Sequence, residues 1–154
     1  MNIRTIGFLD VSRVAASFVL VQQKRMEGEG VKTLRPLDDG TDWRSLKTFL
    51  TKLRNEASPL FGGKPPVLGD VLVRSLEPGA RIDWSTGTED NIQVHVCLVP
   101  SPGAWLYCGG EGAVLQVGTV TFVNHRAPHT EINFGPATMT KLIVELNRQP
   151  DADA

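Results

Sequence analysis

The chain has 154 residues, with 16 Lys and Arg against 17 Asp and Glu and a net charge of −1. That length suits a single domain spanning 1–154 that buries a core without staples. A near-neutral balance excludes a global pull on nucleic acid or anionic lipid. The two cysteines, Cys97 and Cys108, fit a reducing cytosol better than a disulfide framework, and no apolar run reaches the roughly 20 residues a membrane span needs. The expectation is a cytoplasmic protein with no nucleic-acid and no membrane partner.

Residues 1–60 read as a helical N-terminal part. Val11, Val14, Ala15, Phe18 and Val21 recur at helical steps behind Asp10, although "ASFVLVQQ" equally suits a strand. In "TDWRSLKTFLTKLRNEA", Trp43, Leu46, Phe49, Leu50 and Leu53 form one stripe, with Thr41 or Asp42 as cap and Lys47, Lys52 and Arg54 on the wet face. "SPLFGGKPP" is a loop.

Beyond it the pattern turns to short strands at 67–76, 80–84, 91–99, 104–108, 112–116, 118–123, 129–134 and 138–147. "EPG", "SPG", "GGEG" and "NFGPA" separate several of them. Such spacing predicts a sandwich or small barrel over 67–147, with the helices buttressing its outside. Alternation puts Ile92, Val94, Val96 and Leu98 on one face of their strand and Gln93, His95, Cys97 and Val99 on the other. In 138–147 it separates Leu142, Val144 and Leu146 from Met139, Lys141, Ile143 and Glu145. A polar set turned inward lines a small-ligand cavity.

All three histidines, His95, His125 and His129, fall in this second half. Histidine is the commonest metal ligand and the usual acid or base near neutrality. His125 and His129 are not a helical pair, because Pro128 separates them just after a strand. "CGGEG" lacks the helix and lysine of a phosphate loop, no Ser sits in a nucleophile elbow, and the cysteines lack metal-finger spacing.

"GTVTFVNHRAPHTEIN" resembles the second cupin motif, with Gly118, His129 and Asn133 in the matching positions, and "GARIDWSTG" resembles the first in length, with Gly79 in place. The order of Gly79, His95, Gly118, His129, Asn133 and Lys141 is similar to that of the aspartyl/asparaginyl β-hydroxylase group of iron(II)/2-oxoglutarate oxygenases. The resemblance implies a mainly β fold: a double-stranded β-helix, or cupin-like jelly roll. It implies hydroxylation of an amino-acid or peptide side chain, with Fe(II) and 2-oxoglutarate as cofactors and a small-molecule or peptide substrate.

Carried over, His129 takes the place of the distal iron ligand. Gln93, His95 and Lys141 take the places that hold the cosubstrate's carboxylates. A dianion in a closed cavity needs cationic or donor groups at each end. The first ligand positions depart from the pattern: Ser85 stands where a histidine belongs and Gly87 where a carboxylate can follow. One histidine binds iron weakly. Asp83, which strict alternation puts on the face of Ser85, and His125, if its turn folds back, are the candidate replacements. Trp84, Ser85 and Asn133 are expected to border the pocket. The alternative is a cupin-like module without catalysis, binding a small anion or a peptide carboxylate in the barrel.

Overall fold

The computed structural model describes residues 1–16, 28–36, 44–88 and 90–150. In it α1 (Arg44–Ala57) follows strands β1 (Ile3–Phe8) and β2 (Val31–Leu34). Eight strands come after: β3 (Val67–Leu76), β4 (Arg81–Ser85), β5 (Ile92–Val99), β6 (Ala104–Cys108), β7 (Glu111–Ala113), β8 (Thr119–Val123), β9 (His129–Asn133) and β10 (Met139–Asn147). The expected caps Thr41 and Asp42, together with Trp43, Phe18 and Val21, lie outside the described residues.

Two antiparallel sheets form, in the orders β1-β8-β5-β10-β3-β2 and β4-β9-β6-β7. Successive strands from β3 to β10 fall alternately in blocks on one sheet or the other, which is the double-stranded β-helix expected. The segment before residue 60 is not wholly helical. β1 pairs with β8 and β2 with β3, so each extends one edge of the larger sheet. Isolated strands show no helical period and gain their stability only from such partners, so β1 and β2 escape periodicity reading.

The larger sheet is amphipathic in the sense its alternation predicts. Val71, Val73, Val94, Val96, Val120, Leu142, Val144 and Leu146 are buried in one cluster with Leu46, Phe49, Leu50, Leu53 and Ala57 of α1 and with Val11 and Val14. The i, i+3, i+4 spacing in α1 supplies this stripe, and its burial on the sheet supplies most of the helix's stability. Arg54 Nε donates to Pro66 O at 2.7 Å, tying the end of α1 to the loop that enters β3. The helix therefore packs on the outside of the barrel and leaves the inner face to polar side chains.

Gly118 shows why a motif glycine is needed. Its φ is +77°, and a Cβ there would lie 2.6 Å from Leu9 O. The close approach allows Leu9 N–H to donate to Gly118 O at 2.8 Å, which seats the end of β1.

Asn133, expected in the pocket, is instead a buried structural clamp. Its Nδ2 donates to Leu76 O at 2.9 Å and Ala137 O at 2.8 Å. Its Oδ1 accepts from Ser101 Oγ at 3.0 Å and Gly135 N–H at 2.9 Å. All four amide valences are satisfied, so nothing is left to offer a ligand. Asn133→Ala should cost about 2–4 kcal/mol, because it strands several buried backbone groups. Urea unfolding measures this, and a loss below about 1 kcal/mol would show that the clamp is dispensable.

Candidate functional site

The polar side chains of the larger sheet's inner face converge. Lys141 on β10 is fully buried, yet its Nζ donates to His95 Nδ1 on β5 at 2.7 Å and touches Glu131 Oε1 on β9. Arg74 of β3, the cross-strand neighbour of Lys141, donates from Nη1 to the other oxygen, Glu131 Oε2, at 2.7 Å. Glu131 belongs to the smaller sheet, so one carboxylate bridges the two sheets through two cations. The bond from Lys141 assigns the neutral His95 tautomer with its proton on Nε2, which donates to Gln93 Oε1 at 3.3 Å.

Burial, and then the charge of Lys141, hold His95 well below its ordinary pKa. Burial, and then the Arg74 guanidinium, push the Lys141 pKa well below its ordinary value; a carboxylate in contact, such as Glu131, favours the charged form. Because His95 stays neutral when folded, the unfolded chain takes up a proton there below pH about 6.5 that the folded chain refuses. Stability should therefore fall as pH drops through that range. Unfolding midpoints at pH 7 and pH 5 should differ less in His95→Gln than in the native chain, and equal differences would contradict the assignment.

His129 opens β9 at the barrel mouth. Its Nδ1–H donates to Ala127 O at 2.9 Å, which leaves the Nε2 lone pair facing Ser85 Oγ at 3.3 Å. A ring nitrogen anchored on a carbonyl with the other one aimed outward is how metal-binding histidines are held. Here the hydroxyl of Ser85 takes that lone pair. Ser85 and His129 are register partners, so their side chains meet across the two strands.

Asp83 does not share that face. Ile82 pairs with Glu131 and Ser85 with His129, so three residue steps along β4 match two along β9. This bulge breaks the alternation on which the expectation rested. Asp83 lines an outer groove with Arg81, Trp84, Tyr107, Thr130 and Ile132. Trp84 goes with it, 63 % exposed, and neither residue lines the cavity that holds His95 and His129.

The turn carrying His125 does fold back. Gly87 N–H donates to His125 O at 2.7 Å, and a Cβ on Gly87 would lie 2.4 Å from His125 Cδ2. The imidazole thus fills the space that a carboxylate side chain at 87 would need. The positive charge of His125 would also reach His95, as would that of His129. His125 therefore lies against Gly87, while His95 and His129 line one cavity.

An iron(II) centre of the two-histidine-one-carboxylate kind does not fit these residues. One histidine has the right posture, Ser85 is a poor ligand, and His125 blocks position 87. Among the described residues no group of three or more His, Cys, Asp or Glu side chains is placed to hold a metal ion. The end expected to hold carboxylates keeps more of its polar groups. A cavity of about 190 Å³ is lined by Arg35, Arg74, Gln93, His95, His129 and Glu131, with Asp70 and Glu145 at its rim. Lys141 lies behind Glu131, against a void of only about 10 Å³.

Arg74 and Glu131 escaped the sequence reading. The signal was present: in "VLGDVLVRSL" Arg74 alternates with the apolar Val71 and Val73, and in "HTEIN" Glu131 sits two residues from His129 on the same face. Charges inside strands of this kind mark an inward polar face.

No protein-family model matches the chain. No curated protein matches its sequence. Its structure is similar to that of a viral collagen prolyl hydroxylase from Paramecium bursaria Chlorella virus-1 in its 2-oxoglutarate (2OG) complex. The two are 10% identical, with a TM-score of 0.67 over 97% of this chain and 97% of that one. A 2OG-Fe(II) oxygenase-family oxidoreductase from Burkholderia pseudomallei gives 0.63 at 15% identity, over 90% of this chain and 79% of that one. A Trichoplax adhaerens prolyl hydroxylase in complex with a hypoxia inducible factor peptide fragment gives 0.65 at 13% identity, over 94% and 82%. The chain has the jelly-roll fold of the Fe(II)/2OG oxygenases.

Proposed function

We propose that this chain is a ligand-binding barrel with the oxygenase fold, working without iron-dependent turnover. Its ligand is a small molecule or peptide end bearing a carboxylate, held in the mouth by the Arg74 guanidinium and the Gln93 amide N–H groups, beside His95 and His129. One observation carries the reading. The two positions that should face His129 with metal donors hold Ser85, bonded to His129 itself, and Gly87, covered by the His125 ring. The cationic floor beneath them is kept. A peptide carboxylate is included because the Trichoplax adhaerens neighbour is in complex with a peptide fragment.

A second reading, an aspartyl/asparaginyl β-hydroxylase-like oxygenase, rests on the folded-back turn. There His125 and His129 would hold iron(II), and Gln93, His95 and Lys141 the 2OG. Anaerobic titration with iron(II) and 2OG separates the two. The binding-barrel reading expects no visible charge-transfer band and no 2OG consumption. It also expects small carboxylates to perturb the NMR signals of Arg74 and His129 in chelator-treated protein. Stoichiometric iron with 2OG turnover would overturn it in favour of the oxygenase.

A further inference from the structure

Lys141 and Arg74 are two cations served by a single buried carboxylate, Glu131. With the Lys141 proton in place, two positive charges face one negative charge. Other carboxylates do not close the balance inside: Asp70 is held by Arg35 at 3.1 Å, and Glu145 accepts the Asp70 N–H at 3.3 Å at the rim. Arg74 Nε is buried with no hydrogen-bond partner. Buried charge and buried donors left in this state favour one further anionic group.

Access is uneven. The mouth cavity reaches Arg74 and Glu131 but not Lys141, which Glu131 screens from it. Two antiparallel partners hold the Glu131 backbone, Ile82 on one side and Leu106 on the other, so its carboxylate is delivered by a rigid strand rather than a loop.

We infer that Glu131 is a tethered carboxylate that permanently fills the Lys141 end of the barrel, so that the mouth accepts a ligand with one carboxylate and discriminates against dicarboxylates. A dicarboxylate entering the cavity has one end for Arg74, and its other end meets Glu131, Glu145 or an Arg35 guanidinium already held by Asp70. Only the ligand class rests on the binding reading above; the tether itself is a matter of the ion cluster. Removing the Glu131 side chain turns one missing anion into two, both within reach of the mouth.

The test uses chelator-treated full-length chain with pentanoate and glutarate, which have equal chain length and differ by one carboxylate. Calorimetry should find glutarate binding the native chain at least tenfold more weakly than pentanoate. Glu131→Ala should bind glutarate at least tenfold more tightly than the native chain does. Its thermal midpoint should recover as glutarate, but not sodium chloride, is added. Glutarate binding the native chain as tightly as pentanoate would overturn the inference, and this arm needs no variant. A folded Glu131→Ala that gains nothing for glutarate would also overturn it. Where the alanine variant does not fold, Glu131→Gln keeps the volume, removes the charge and is read the same way. Pentanoate failing to bind the native chain while Glu131→Ala gains glutarate sinks the proposed function and leaves the tether standing. Pentanoate binding with no glutarate gain does the reverse.

Discussion

Lys141→Met should destabilise the chain by about 3–5 kcal/mol, the range for breaking a buried ion pair by removing one partner. The loss comes from Glu131 Oε1 and His95 Nδ1, on residues 4 % and 3 % exposed, which both lose their buried donor. At roughly 2–4 °C per kcal/mol for a domain near this size, the thermal midpoint should fall by about 6–20 °C. Glu131→Leu in the same chain should restore much of the loss, because an apolar pair of similar volume carries no uncompensated charge and Arg74 can turn toward the mouth. The coupling in the double-mutant cycle should reach about 2 kcal/mol or more. Urea unfolding of the four proteins checks it. Additive effects, or single losses under about 1 kcal/mol, would mean that the cluster does not hold the sheets together.

The second large effect concerns position 87. A Cβ there lies 2.4 Å from His125 Cδ2 and 3.1 Å from His125 O, so Gly87→Asp forces the ring out. The expected cost is about 1–3 kcal/mol, typical of overpacking. His125→Ala should relieve most of it, since Gly87 N–H bonds the backbone oxygen of His125 and not its ring. Adding Ser85→His to that pair of changes restores a two-histidine-one-carboxylate set around His129. The triple variant should bind manganese(II) or cobalt(II) at least about 100-fold more tightly than the native chain, or about 2.7 kcal/mol. Equal metal affinity in the two proteins, measured by calorimetry, would mean that the lost ligands are not what keeps iron out.

Much of the barrel was legible because strand alternation is a local signal. The faces of β5 and β10 could be assigned from "IQVHVCLV" and "MTKLIVELN" alone, and the structure buries Val94, Val96, Leu142 and Val144 against α1 as those patterns require. The convergence of His95 and Lys141 was also legible, through the order of a motif rather than through any local pattern. The misplacements have two physical sources. Asp83 was assigned by strict period-two counting, which a one-residue bulge in β4 defeats. Asn133 was read as a pocket residue from its motif place, but its amide is used up by its own turn, at Gly135 and Ala137, and by the distant Leu76 O and Ser101 Oγ. Glu131 and Arg74 act only as partners of Lys141 and of each other. No reading of one strand at a time reveals a contact that forms across two sheets.

The metal position at His129 and the Lys141 end of the barrel are each taken by one of its own side chains, Ser85 on His129 and Glu131 on Lys141. A crystal soaked with manganese(II) and N-oxalylglycine, an inert mimic of 2OG, examines both ends at once. The account expects no metal density at His129 Nε2 and Glu131 still paired with Lys141. Metal bound to His129, with a carboxylate of N-oxalylglycine on Lys141 in place of Glu131, would contradict it.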